Sequence, residues 1–294
     1  MPGRRFFLDR YSELGHTLTG KEATRKSLRV NWLKAPEDII ERLRTLGVEL
    51  RRIDFLKDGY YIEKTDFSLG ASFEYLLGYY SLQEAASQFA VEVMDPKPGE
   101  AIMDMFAAPG IKTTQIADRM GNIGALVAVD INRKRLYALE NSLERCGVEN
   151  CVVYWSNALD LYLEGLQFDG LLLDVPCSGN YVTDKEWFSK RRIEDIEKNA
   201  ERHRLFLESG LNFLRKGGEL VYATCSLEPE ENELNIQWLL DNHPVELEKI
   251  EGPGSPGLVE VFGETLSPEI SKCRRFWPDE TGTQGFFVAR VRKK

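Results

Sequence analysis

Cysteine and histidine are scarce in this chain, whose 294 residues include five Cys and three His. The cysteines are odd in number, no two form a CxxC pair, and His16, His203 and His243 are far apart. Neither a disulfide framework nor a zinc site is therefore indicated. No stretch approaches the roughly 20 apolar residues of a membrane span, and the opening MPGRRFFLDRYSELG has no apolar signal-peptide core. Fixed-period repeats and low-complexity tracts are also missing, which sets aside solenoids and disordered arrays. The expectation is a soluble cytoplasmic protein without a metal, long enough to bury a substantial core and to divide into one large domain and a smaller one.

Basic charge is in short supply overall, with a net charge of -9, but it is unevenly spread. Up to Arg52 there are 12 Lys and Arg against 7 Asp and Glu, so the excess of acid lies entirely beyond that point. Local fields rather than totals steer a polyanion, and the front of the chain is the candidate surface for one. Further basic clusters stand at Lys190-Arg191-Arg192, at Lys272 to Arg275 and at Arg290 to Lys294.

Residues 1 to about 70 read as a small α+β unit. A helix runs from Pro36 to Gly47 between strand-like SLRVNWL and the later ELRRIDFL and GYYIEK. SLQEAASQFAVEVM follows as an amphipathic helix, closed by Asp95-Pro96-Lys97-Pro98-Gly99. Residues 71–294 then alternate strand and helix: AIMDMF, a helix from Lys112 to Met120, ALVAVD, a helix from Asn132 to Cys146, CVVYW and GLLLD. This predicts an α/β domain on a doubly wound, mostly parallel sheet. A long helix from about Ile193 to Leu214, a turn at Lys216-Gly217-Gly218, strand ELVYATC and a helix opening at Pro229 continue the pattern. VELEKI and GFFVARVRK suit an antiparallel edge.

In such a sheet ligands bind at the carboxyl ends of strands. Ala107, Ala108, Pro109 and Gly110 follow the first core strand, where small side chains let a ligand reach backbone amides at a helix start. Asp130 ends the second strand about 20 residues on, suited to a ribose. A Walker loop fails because Phe106 stands at its first glycine and Ile111 precedes Lys112, and the GxGxxG of a dinucleotide site is missing. S-adenosylmethionine is the ligand these letters favour.

Two cysteines sit where chemistry is expected, in Asp174-Val175-Pro176-Cys177-Ser178 and in Thr224-Cys225-Ser226, each after a buried strand. Carbon 5 of cytosine is a poor nucleophile. A thiolate adding to C6 makes an enamine-like ring that accepts a methyl group, with an acid at N3 and later a base for the C5 proton. Asp174, Cys177 and Cys225 supply suitable groups. Exocyclic amine methylation uses an Asn/Asp-Pro-Pro-aromatic loop, from which DVPCS departs, and it stays open as a less favoured alternative. Cys146, Cys151 and Cys273 read as inert core thiols.

Taken together, SLRVNWLK, QEAAS, DPKPGE, DMFAAPGIKT, VAVDINRKRL, DVPCSG, KGGELVYATCSLEPEENE and GFFVARVRK resemble the Sun/Nop type of RNA cytosine-5 methyltransferases over nearly the whole chain, in a short form like the archaeal ones without an appended RNA-binding domain. The resemblance implies that Cys225 is the nucleophile and Cys177 assists product release, with Asp174 near base and methionine moiety and Lys112 a secondary catalytic contact. It also implies cofactor contacts from Ile111, Lys112, Thr113, Asp130, Arg135 and Asp174 besides the AAPG turn. Asn157, where the family often has an acid, is expected at the adenine. Ile111 replaces a second glycine common among relatives. The family's small N-terminal domain resembles an RNA-recognition fold, which implies phosphate contacts from Arg25, Lys26, Arg29, Arg42 and Arg44 to a transfer or ribosomal RNA. A noncatalytic RNA-binding or assembly factor on the same fold is the other reading.

Overall fold

The computed structural model describes residues 3–294; residues 1 and 2 of the expected small domain lie outside the described residues. The chain opens with helix α1 (Arg4–Glu13), then β1 (Ser27–Val30), α2 (Ile39–Thr45), β2 (Glu49–Arg52), β3 (Gly59–Lys64), α3 (Phe73–Leu76) and β4 (Tyr80–Leu82). Next come α4 (Ala85–Met94), β5 (Ala101–Asp104), α5 (Ile111–Met120), β6 (Ala125–Asp130), α6 (Arg133–Cys146), β7 (Cys151–Trp155) and β8 (Phe168–Asp174). The remainder holds α7 (Trp187–Lys190), α8 (Ile193–Phe213), β9 (Leu214–Thr224), α9 (Glu233–Asn242) and β10 (Val245–Glu248). Three two-residue strands, β11 (Ser255–Pro256), β12 (Glu260–Val261) and β13 (Glu264–Thr265), precede β14 (Arg274–Phe276) and β15 (Phe286–Lys293).

Two compact units form: Arg25–Leu172, and Leu173–Lys294 together with the chain up to Thr24. The first holds an antiparallel sheet in the order β2-β3-β1-β4 and a parallel set in the order β8-β5-β6-β7. From β5 the chain steps outward through β6 to β7, then returns to β8 on the other side of β5. That reversal is the switch point beside which α/β sheets bind ligands. In the second unit the end of β8 runs beside β9, with the Val175 N–H donating to the Ala223 carbonyl at 3.1 Å. β15 joins β9 antiparallel, and β14 and β10 each pair antiparallel with β15, so β15 runs against all three of these neighbours. The expected mostly parallel α/β sheet with an antiparallel end is what forms.

Caps explain the helix boundaries. Gly110, at φ +100°, begins α5, and a Cβ there would lie 2.9 Å from Leu139 Cδ1, so both conformation and close packing call for glycine. Asn132 caps α6 by accepting the Lys134 and Arg135 N–H groups at 3.1 and 3.3 Å, and Glu84 caps α4 through Ala86 and Ser87.

Four local expectations give way to pairing. SLQ is not helical, because Ser81 and Leu82 pair with β1 and make β4, a strand beyond the boundary placed near residue 70. Lys216-Gly217-Gly218 is no turn between elements, since β9 runs through it directly from the end of α8. Pro229 lies in a turn ahead of α9, which begins at Glu233. The segment before β1, read without a helix, carries α1.

Candidate active site

The strand-end turn after β5 is tied down by two carboxylates. Asp104 is buried and its Oδ2 accepts the Thr113 hydroxyl at 2.8 Å, so Thr113 on the first turns of α5 has its side chain engaged within the protein. Asp130, at the end of β6, accepts the Ala108 N–H at 3.2 Å on one oxygen and the Asn132 N–H at 2.8 Å on the other. Each Asp130 oxygen retains a lone pair for a hydroxyl donor. Arg135 donates to the Ala108 carbonyl and stands 3.8 Å from Asp130. Ala107, Ala108, Pro109, Gly110, Asp130 and Arg135 therefore form one connected group. Their small side chains and buried acid fit the ribose and main-chain contacts of a nucleoside cofactor.

Ile111 is the first residue of α5 and, unlike Gly110, is not among the residues with positive φ, so its position makes no demand for glycine. Lys112 follows it, half-buried. Asn157 is placed beyond β7, where its amide donates to Asp160 at 2.8 Å and accepts the Leu159 N–H at 3.2 Å, holding a local turn.

The reactive candidates are in the other unit. Asp174 ends β8 and is half-buried; Cys177 follows three residues later, and Cys225 comes directly after β9. The two half-buried cysteines meet, with Sγ atoms 3.1 Å apart. The hydrogen bond with Cys225 and then burial push the Cys177 thiol well above its ordinary range. Either sulfur can be the donor in this contact. The remaining cysteines are different: Cys146 and Cys273 are buried, and burial pushes Cys151 up to about 12.

A polar scaffold that sequence reasoning left unassigned surrounds the pair. Ser178 and Ser226, each directly after a cysteine, share a hydrogen bond of 3.0 Å. The fully buried Glu231 accepts the Ser178 N–H at 2.9 Å and the Ser178 hydroxyl at 2.6 Å. Asn180 donates to the Cys225 carbonyl at 2.8 Å. His203 on α8 meets the Pro176 carbonyl through Nε2 at 3.0 Å and the Tyr222 hydroxyl through Nδ1 at 2.8 Å. The repeated Cys-Ser pair and the run EPEENE were the available signals.

Of the basic residues expected to face RNA, Arg25 and Lys26 are exposed. Arg29 is corrected: it is 1% exposed, its guanidinium bonded to Asp118 at 3.0 Å and to Gln83 and Thr114 at 3.1 Å each. Arg42 and Arg44 pair with Asp38 at 2.8 Å and Glu41 at 2.6 Å on their own helical segment. Within the cluster from Lys272 to Arg275, Arg275 is buried against Glu233. Among the described residues, no cluster of three or more His, Cys, Asp or Glu is placed to hold a metal, and no helix is long and apolar enough to cross a membrane.

This strand order, with a nucleoside-suited turn after β5 and thiols at later strand ends, defines the class as Rossmann-like methyltransferases. A crystal structure of a methyltransferase homologue from Pyrococcus horikoshii overlays with a TM-score of 0.87 at 38% identity, covering 98% of both chains. NSun6 from the same organism, crystallised with SFG, an analogue of S-adenosylmethionine, gives 0.85 at 26% identity over 99% of this chain and 97% of that one. The family model for 16S rRNA methyltransferase RsmB/F matches residues 91–292, and that for the N-terminal domain of 16S rRNA methyltransferase RsmF matches residues 5–85. The chain belongs to the RsmB/F methyltransferase family. Among curated relatives, the tRNA (cytosine(49)-C(5))-methyltransferase of Pyrococcus abyssi is 36% identical over 92% of this chain and 88% of its own length. Ribosomal RNA small subunit methyltransferase F of Klebsiella pneumoniae is 34% identical over 92% of this chain, which spans 57% of that longer protein.

Proposed function

We propose that the protein methylates C5 of cytosine in RNA, using S-adenosylmethionine and a covalent adduct between Cys225 and C6 of the base. The observation that carries this reading is the 3.1 Å contact between two thiols borne on different strand-end loops. Amine methylation has no use for such a pair. That two archaeal relatives are tRNA cytosine-C5-methyltransferases and another relative is a ribosomal RNA small subunit methyltransferase supports the substrate class.

The Cys225 thiolate adds to C6, forming the S–C6 bond and moving the C5–C6 π pair into the ring toward N3, where Asp174 in its acid form donates a hydrogen bond to the developing negative charge. Bound S-adenosylmethionine supplies the electrophilic methyl group that C5 of the activated ring accepts. A base then removes the C5 proton, its electron pair re-forms C5=C6, and the S–C6 bond breaks to return Cys225 as thiolate. Cys177, hydrogen-bonded to that sulfur, stabilises it as it leaves. The AAPG turn, Asp130 and Arg135 would hold the cofactor, with Lys112 and Asp174 as further contacts. Arg25 and Lys26 would contribute phosphate contacts that position the RNA without reading its sequence.

Incubation with RNA and methyl donor, followed by nucleoside digestion and mass spectrometry, tests the reading. Wild type should yield 5-methylcytidine and Cys225→Ala none. A methyl group found on N4 instead, or full product from Cys225→Ala, overturns it. RNA binding with no methyl transfer identifies a noncatalytic factor.

A further inference from the structure

Glu231 belongs to the loop between β9 and α9, six residues beyond Cys225, yet its carboxylate is committed to the other cysteine loop. Oε1 accepts the Ser178 N–H at 2.9 Å and Asn199 Nδ2 at 2.9 Å, and Oε2 accepts the Ser178 hydroxyl at 2.6 Å. The residue is completely buried. Asn199 and His203 lie four apart on α8, on one helical face. From that face Asn199 reaches Glu231 while His203 reaches the Pro176 carbonyl, on the other side of Cys177. The Cys177 backbone is thus held at the residue before and the residue after, and the Ser178–Ser226 hydroxyl contact at 3.0 Å fastens it to the Cys225 loop.

A buried carboxylate satisfied only through particular donors is a demanding way to fix a loop. The three donors to Glu231 described above are neutral, and an apolar side chain of similar size would avoid the cost of burying an acid. What an apolar side chain cannot do is set direction. Two bonds to one residue, from its backbone and its side chain, fix the orientation of the peptide that carries Cys177. We propose that Glu231 is a positioning residue that holds the Cys177 thiol beside the Cys225 sulfur for the release step. This inference rests on the proposed covalent mechanism and extends it to a residue that touches neither base nor cofactor.

Glu231→Gln is the informative change. An amide keeps size and shape but puts an N–H in place of one carboxylate oxygen, so it either faces the Ser178 N–H and Asn199 donors or obliges the Ser178 hydroxyl to give up its donation and turn round to accept. Adduct formation and adduct release are to be measured separately, by denaturing-gel quench of protein-RNA complex and by 5-methylcytidine yield. The expected result is adduct formation within about twofold of wild type and release slowed by roughly 10- to 100-fold, the scale of a misplaced reacting group. In a Cys177→Ala background, Glu231→Gln should slow release no further, because the two changes remove one function. A merely structural Glu231 would slow both steps together and lower release again in the double variant; either result overturns the proposal. If Glu231→Gln fails to fold, Ser178→Ala removes the hydroxyl contact from the loop side and should slow release in the same direction. Absence of product from wild type would sink the covalent mechanism itself. Normal release by Glu231→Gln, with Cys177→Ala still trapping adduct, would sink only the role of Glu231.

Discussion

Glu228 is fully buried, with Oε1 accepting the Tyr11 hydroxyl at 2.7 Å and Oε2 accepting from Arg10 at 3.2 Å. Burial outweighs the attraction of Arg10 and raises its carboxyl from 4.5 to about 7. Between those pH values the folded chain holds a proton that the unfolded chain releases. This contribution to stability is therefore complete below about pH 4.5 and is lost as pH rises through about 7. Glu228→Gln keeps an acceptor for Tyr11 and removes the titration. Its denaturation midpoint relative to wild type should climb between pH 5 and pH 8; a constant or falling difference would contradict the assignment. At this scale the sequence was legible in placement, as at Cys177 and Cys225, which were expected after two buried strands and stand there with their sulfurs 3.1 Å apart. It was illegible where the role depends on who stands opposite. Nothing in the letters separates Arg29, buried against Asp118, from exposed Arg25, and nothing in EPEENE says which glutamate turns inward toward Ser178.

A fully buried ion pair joins α9, in the segment after Cys225, to β14. Arg275 on β14 donates from Nε to Glu233 of α9 at 2.8 Å and from Nη1 to the Leu227 carbonyl at 2.7 Å, and both side chains are fully buried. Arg275→Ala leaves Glu233 and the carbonyl without this partner and should cost about 3–5 kcal/mol in urea unfolding. Arg275→Met should cost about as much, because Glu233 is left unpaired in either case; a loss below about 1 kcal/mol would show that the site relaxes. Most elements were legible because periodicity and caps agree, as in α6 between Asn132 and Gly147. Helix α1 was not, since only Phe7 and Tyr11 of its ten residues are buried. It is secured by pairing Arg10 and Tyr11 with Glu228, more than 200 positions away, a contact no local window contains. The stretch through Gly217 failed for the opposite reason: strong turn letters were overridden by pairing of the strand that contains them.

For the whole molecule, a net charge of -9 conceals a basic front half-spent on internal pairs. Arg25→Ala and Lys26→Ala should each lower the slope of log K for RNA against log salt by about 0.7. Arg29→Ala should instead lower the midpoint by several degrees, since it strips partners from Asp118 and Gln83. A change in slope with Arg29→Ala and no loss of stability would reverse this assignment. The fold class was readable from strand-helix alternation. The compact units were not, because the strand-helix pattern puts a boundary near residue 70 whereas the first residues up to Thr24 group with Leu173–Lys294.

The most direct test of the covalent account is peptide mass spectrometry of the Cys177→Ala protein after incubation with RNA and S-adenosylmethionine. The account predicts a stable adduct, with nucleotide mass on the peptide that contains Cys225 and methyl mass on the nucleotide. Release of RNA carrying 5-methylcytidine at the wild-type rate, or an adduct on any other residue, would contradict it.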